Sequence, residues 1–212
     1  ATPPTIAWLS PTEEDIYNEG IDVPFQFEVN DEEDDADDLI VSISSDIDAV
    51  LWMDRAEADG FVRVDSSDLS IGEHTITATV TDTDGLTSNA SQRLVINGLP
   101  SAPVVQISPS EPITGDGLLA VIIEDSLDPD DPAIAITYSH AWSVDGVDLG
   151  EISDTIDAEL TAKGEEWTLT VTPSDAFGDG WSGSDTVTIG NTPPSIDGVS
   201  IHPEDPSAGA TL

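Results

Sequence analysis

Thr75-Ile76-Thr77-Ala78-Thr79-Val80-Thr81-Asp82-Thr83-Asp84-Gly85-Leu86 alternates polar and apolar side chains for seven residues and then breaks into a short acidic turn. Successive side chains of an extended chain point to opposite faces, so Ile76, Ala78 and Val80 line a core face and the threonines a wet one. Phe25, Phe27 and Val29 alternate in the same way with Gln26 and Glu28. The period of two therefore belongs to half-buried strands, and no stretch carries the spacing of a long helix.

The signal recurs at a fixed distance. Thr170-Val171-Thr172 follows Thr79-Val80-Thr81 by 91 residues, and Asp175 follows Asp84 by the same 91. Ile107, Pro109, Pro112, Gly115 and Leu118 return 94 residues later as Ile201, Pro203, Pro206, Gly209 and Leu212. Leu9-Ser10-Pro11 precedes Ile107-Ser108-Pro109 by 98 residues. Self-similarity at a fixed period marks repeated structural units, and the small differences in spacing place insertions in loops.

Runs between turn clusters predict strands at Thr5–Ser10, Val23–Asn30, Leu39–Ser44, Ala49–Asp54, Phe61–Asp65, His74–Thr81 and Ser91–Asn97. The second unit is expected to follow with Val104–Ser108, Leu118–Glu124, Ile134–Val144, Val147–Gly150, Thr155–Leu160, Trp167–Pro173 and Ser184–Ile189. The expected organisation is a unit over 1–98, a second over 99–190, and a linker with the first strand of a third repeat over 191–212. Its boundaries fall at Asn97-Gly98-Leu99-Pro100 and Gly190-Asn191-Thr192-Pro193-Pro194, where Pro and Gly interrupt pairing.

The run Thr79 to Leu86, the Pro-Pro starts at Pro3-Pro4 and Pro193-Pro194, and Trp142-Ser143-Val144-Asp145-Gly146 resemble the tandem PKD-like and immunoglobulin-like repeats of large bacterial secreted surface proteins, of the myxobacterial type. The resemblance covers essentially the whole chain. It implies an all-β fold of tandem immunoglobulin-like (PKD- or cadherin-like) sandwiches of about seven strands each. It also implies a secreted or cell-surface setting, with neighbouring repeats of the same chain as the first partners.

Composition narrows the function. The 212 residues carry 44 Asp and Glu against 4 Lys and Arg, a formal net charge of −40. A phosphate backbone is bound through clustered Lys and Arg, so nucleic acid is excluded as a partner, and insertion of this segment into a membrane is not expected. Self-repulsion at this density calls for screening, which points to a calcium-rich or saline medium. There is no Cys, so disulfides, thiolate nucleophiles and Cys-based zinc sites are excluded together.

Acidic residues concentrate in matched loops. Seven of the eight residues from Asp31 to Asp38 are acidic, among them Glu33, Asp34 and Asp35. Asp82 and Asp84 occupy a second loop, and in an immunoglobulin-like sandwich these two loops lie at one end and converge. The second unit repeats the layout with Asp125, Asp128 and Asp130 in one loop and Asp175 and Asp179 in the other, expected at its joint with the first. Converging carboxylates repel unless a hard cation with six to eight oxygen ligands binds them, so calcium is the cofactor expected there. The opposing reading is a set of hydrated loops on a chain that is acidic throughout.

Nothing in the sequence assembles a catalytic group. His74, His140 and His202 lie in separate segments, no serine sits in a nucleophile elbow, and no Gly-rich phosphate loop opens a helix. The chain is therefore read as a structural spacer and not an enzyme. The alternatives are an adhesive module that grips a glycan or surface protein, with Trp181 and Trp8 as its aromatic contacts, and the subunit of a homopolymeric filament built by strand addition.

Overall fold

The computed structural model describes residues 2–13, 15–151 and 153–200, with Glu151 described at its backbone only. The strand expected from the repeat Ile201, Pro203, Pro206, Gly209 and Leu212 lies outside the described residues, as does His202. Described residues 191–200 carry no strand or helix. Elsewhere the described chain is strand and loop, with short 3-10 turns at Ala36–Asp38 and Ala158–Leu160. No helix among the described residues is long and apolar enough to cross a membrane.

The first strands in chain order are β1 (Thr5–Ser10), β2 (Ile16–Asn18), β3 (Val23–Asn30), β4 (Ile40–Ser45), β5 (Ala49–Arg55), β6 (Phe61–Ser66), β7 (Gly72–Thr81) and β8 (Thr87–Asn97). They form a sheet ordered β1-β3-β6 and another ordered β2-β8-β7-β4-β5. Period-two burial decides which face each strand turns inward. β3 buries Val23, Phe25, Phe27 and Val29, while β7 buries His74, Ile76, Ala78 and Val80. One hydrophobic cluster draws on both sheets, joining Phe25, Phe27 and Val62 to Val41, Ile43, Ile76 and Leu94, so the two sheets form a sandwich. β2 runs parallel to β8, with Ile16 beside Val95 and Asn18 beside Asn97. Three residues are too few to show an alternation, which is why this strand has no sequence signature.

The remaining strands are β9 (Val104–Ser108), β10 (Leu118–Glu124), β11 (Thr137–Val144), β12 (Val147–Glu151), β13 (Thr155–Ile156), β14 (Glu166–Ser174) and β15 (Gly183–Thr188). Their sheets are ordered β13-β10-β9 and β12-β11-β14-β15. Ile107, Leu118 and Ile156 are buried on the first of these, and Trp142, Trp167 and Leu169 on the second. Trp142 meets Trp167 edge to face at 6.4 Å, and its indole N–H donates to the Ser153 carbonyl at 3.1 Å. Asp145-Gly146 makes the two-residue turn between β11 and β12, with φ of 50° and 76° respectively. Both residues need positive φ in such a turn, which Asp tolerates and Gly adopts without strain.

Two expected strands are shorter than read. β11 begins at Thr137 because Asp131-Pro132-Ala133-Ile134 closes a turn, with the Ile134 N–H on the Asp131 carbonyl at 3.0 Å. β13 ends at Ile156, after which the chain enters the Ala158–Leu160 turn. By internal contact the described residues divide into two compact units. One spans 2–104 with Glu124–Ser139 and Val171–Gly183, and the other Val105–Ile123 with His140–Thr170 and 184–200.

Candidate cation site and a sealed histidine network

Asp31 follows the last residue of β3 and opens the acidic loop. Its Oδ1 accepts the backbone N–H groups of Glu33 at 2.7 Å and Asp34 at 3.0 Å, while its Oδ2 is buried without a hydrogen-bond partner. Asp34 then reaches the other loop, taking the Thr83 hydroxyl at 2.7 Å and the Thr83 N–H at 3.3 Å. The expected convergence of the Asp31–Asp38 loop with the Asp82–Asp84 loop is thus present in the geometry. Asp82 is only 6% exposed and accepts the Leu86 N–H at 2.8 Å, which pins the β7–β8 turn. Asp35 and Asp84 face solvent, and Glu33 accepts both the N–H and the hydroxyl of Thr2. Those two bonds hold the Glu33 carboxyl below the usual carboxylate range.

Asp128 repeats the arrangement of Asp31 atom for atom. Its Oδ1 accepts the N–H groups of Asp130 at 3.1 Å and Asp131 at 2.7 Å, and its Oδ2 is buried and unpartnered, in a residue only 4% exposed. Asp175 forms the matching turn in the second loop, its Oδ1 accepting from Phe177 N–H at 2.6 Å and Gly178 N–H at 2.8 Å, with its own Oδ2 buried and unpartnered. The Asp128 carboxyl lies within interaction range of the Asp130 and Asp175 carboxyls. No hydrogen-bond donor reaches the Oδ2 atoms of Asp128 and Asp175, whereas Asp130 Oδ1 accepts the Gly98 N–H at 3.2 Å. Burial pulls the Asp128 carboxyl up, but the Asp131 N–H, the side chain and N–H of Asp130 and the Asp175 side chain outweigh it and the net shift is downward. Burial raises Asp130, and its neighbour Asp128 raises it further. Asp125 is exposed and accepts weakly from the Tyr138 hydroxyl at 3.4 Å, and Asp179 is exposed beside Ser174.

A buried carboxylate oxygen without a donor is costly, and a hard cation placed beside it would satisfy it. Among the described residues no three His, Asp or Glu side chains already surround a common metal-sized position. A calcium ion held by Asp128 and Asp175, or by Asp31, would complete its shell with backbone carbonyls and water.

The aromatic candidates separate. Trp8 packs edge-on against Phe27 at 4.8 Å and Phe25 at 6.5 Å, and its indole N–H donates to the Pro11 carbonyl at 2.6 Å. Trp181 is 65% exposed, and Phe177 of the same loop is exposed as well.

One constellation has no signature in the sequence. His74 is fully buried, with Nδ1 2.8 Å from the Ser45 hydroxyl and Nε2 2.6 Å from the Ser70 carbonyl. A carbonyl only accepts, so Nε2 carries the proton and Nδ1 takes the Ser45 hydroxyl. Asp48 stands 3.5 Å from Nδ1 and accepts the Ser70 N–H at 2.9 Å. This brings Ser, His and Asp together, yet the Ser45 hydroxyl is spent on the ring and also accepts N–H groups from Ile47 and Asp48. Ser45 is itself buried, so the group locks the β4–β5 turn to β7 and offers no nucleophile to solvent. Ser45→Ala removes the acceptor of two N–H groups and the donor to the ring together. Urea unfolding should show a loss of about 1–3 kcal/mol, and a change within measurement error would show the network to be dispensable.

No protein-family profile and no curated protein sequence matches the chain. Solved structures similar to it include the fibronectin(III)-like modules of Clostridium thermocellum CbhA, at 14% identity over 88% of this chain and 95% of that one, with a TM-score of 0.38. A Ca2+-stabilised adhesin with which an Antarctic bacterium binds ice is 19% identical over 90% of this chain and 49% of that one, with a TM-score of 0.47. A further similarity is to a 1.5-MDa bacterial ice-binding adhesin, 19% identical over 91% of this chain and 66% of that one, with a TM-score of 0.44.

Proposed function

We propose that the chain is a length of spacer from a secreted or cell-surface protein, built of β-sandwich repeats whose acidic loops are closed by calcium. The observation that carries this reading is the recurrence of one motif in two places. Asp31 and Asp128 each spend one carboxylate oxygen on the two N–H groups of their own turn and bury the other without a partner. A merely hydrated loop has no cause to bury that oxygen twice. The proposed repeat boundaries remain 1–98 and 99–190, with 191–212 leading into a third unit, on the strength of the repeat spacing. Stability in such an array is close to additive along the chain, and the acidic surface keeps it soluble and extended.

The test is a thermal melt in calcium and in chelator at one ionic strength. A ligand that binds only the folded state stabilises it by about 2.7 kcal/mol at a hundredfold excess over its Kd. Equal midpoints in the two conditions, with stability restored by sodium chloride alone, would replace calcium by general charge screening. A second reading, an adhesive module for a glycan or a surface protein, rests on the exposed pair Phe177 and Trp181 beside Asp179. It predicts calcium-independent glycan or protein binding that Trp181→Ala abolishes. The homopolymeric alternative would use the edge strand β5, where Val50 and Met53 are exposed.

A further inference from the structure

The segment between β10 and β11, with Tyr138 of β11, borders an open pocket of about 300 Å³ beside the Asp128 carboxylate, lined by acidic, polar and apolar groups together. Ser126 lies in its wall, 5% exposed, and its hydroxyl is buried with no hydrogen-bond partner. The same residue's backbone N–H donates to the Tyr138 hydroxyl at 2.9 Å, which fixes the phenol ring as a second wall. Asp125 and Asp131 contribute exposed carboxylates. Leu127, Ile134 and Ile136 supply aliphatic surface, and Leu127 is among the more exposed large apolar residues of the chain.

We infer that this cavity binds a primary ammonium group carried on an aliphatic stem. A bare hard cation finds carboxylates here but gains nothing from the leucine, the isoleucines or the phenol face. An alkylammonium uses every wall. Its stem covers the aliphatic surface, its charge meets Asp125, Asp131 and the Tyr138 phenol, and rotation of the buried Ser126 side chain about χ1 brings its orphan oxygen to one N–H. The chain has only four Lys and Arg residues, and none of them lines the cavity, so the ammonium comes from another molecule. The net charge of −40 draws such a ligand in. The two sources with this chemistry are a lysine side chain of a partner protein and a free aliphatic diamine. The site is assigned from Ser126, Asp125, Asp131 and Tyr138 and shares the Asp128 wall with the proposed calcium site, so its binding is read both with calcium and without it.

The test is a titration of the full chain, in calcium-containing and in chelated buffer, followed by NMR shifts of the Ser126–Tyr138 segment. The probes are n-butylammonium, Nα-acetyl-lysine methylamide, cadaverine and n-butanol. Saturable binding of the ammonium probes at about millimolar Kd is expected, about tenfold weaker for Asp131→Asn and for Ser126→Ala. Asp131 is exposed, so its substitution leaves the fold intact and keeps the experiment decisive if Ser126→Ala is unstable. Preference for the lysine derivative over cadaverine assigns a protein partner, and the reverse assigns a free diamine. Equal shifts from n-butanol, or none from any ammonium probe, overturn the inference. Failure of calcium to raise the melting midpoint, by contrast, bears only on the spacer reading.

Discussion

Asp128→Asn is expected to invert the response of the protein to calcium. In chelator the wild-type chain holds the Asp128 and Asp175 carboxyls within interaction range, each with a buried oxygen that has no hydrogen-bond partner. An amide at 128 removes one charge and brings N–H donors to the other, so the variant should melt higher than wild type in chelator. In calcium the order reverses. Wild type gains about 2.7 kcal/mol at a hundredfold excess over its Kd, and at about 4–8 °C per kcal/mol for a domain of 60–100 residues this amounts to some 10–20 °C. The variant gains little at this site. Asp31→Asn makes the same experiment on the first loop pair, and the double variant separates the two contributions. An unaltered calcium increment in both single variants would remove Asp31 and Asp128 from any cation site.

Trp142→Ala should be among the most damaging single substitutions. The side chain is fully buried, meets Trp167 edge to face, and donates its indole N–H to the Ser153 carbonyl. Truncating a buried aromatic costs about 3–5 kcal/mol, and stranding a carbonyl that the indole had satisfied adds about 1 kcal/mol or more. The denaturant midpoint of the unit that holds Trp142 should fall accordingly. Phe25 and Phe27 belong to the other compact unit, so a transition assigned to their core should keep its midpoint. A loss below about 1 kcal/mol, the ordinary cost of a point substitution, would mean that the Trp142–Trp167 pair carries little of that core.

The strands were legible because their signal is local. Thr5–Ser10, Val23–Asn30, Val104–Ser108 and Leu118–Glu124 have the bounds that turn clusters and alternation predict. β2 was not legible, since Ile16–Asn18 is a strand only because Val95–Asn97 lies beside it. The start of β11 was misplaced because Ile134 and Ile136 read as strand, whereas Asp131-Pro132 closes a turn whose apolar residues line a cavity. Trp8 offered no way to tell an exposed aromatic from a packed one. Its indole is committed to Phe25, Phe27 and the Pro11 carbonyl.

The opening alternation of Thr75 to Thr81 was enough, without coordinates, to read the chain as all-β, because a period of two is a property of the extended backbone itself. Charge and the absence of Cys likewise excluded whole classes of chemistry by counting alone. Which oxygen of which aspartate lacks a partner was a matter for the tertiary structure. Asp31, Asp34, Asp35, Asp128, Asp130 and Asp131 look alike in a list of acidic residues. Only the folded turns spend one oxygen of Asp31 and of Asp128 on backbone N–H groups and bury the other. The same holds for Ser126 and for His74. The Ser45 partner of His74 lies 29 residues away in sequence, and burial turns a polar side chain into either a lock or a binding site.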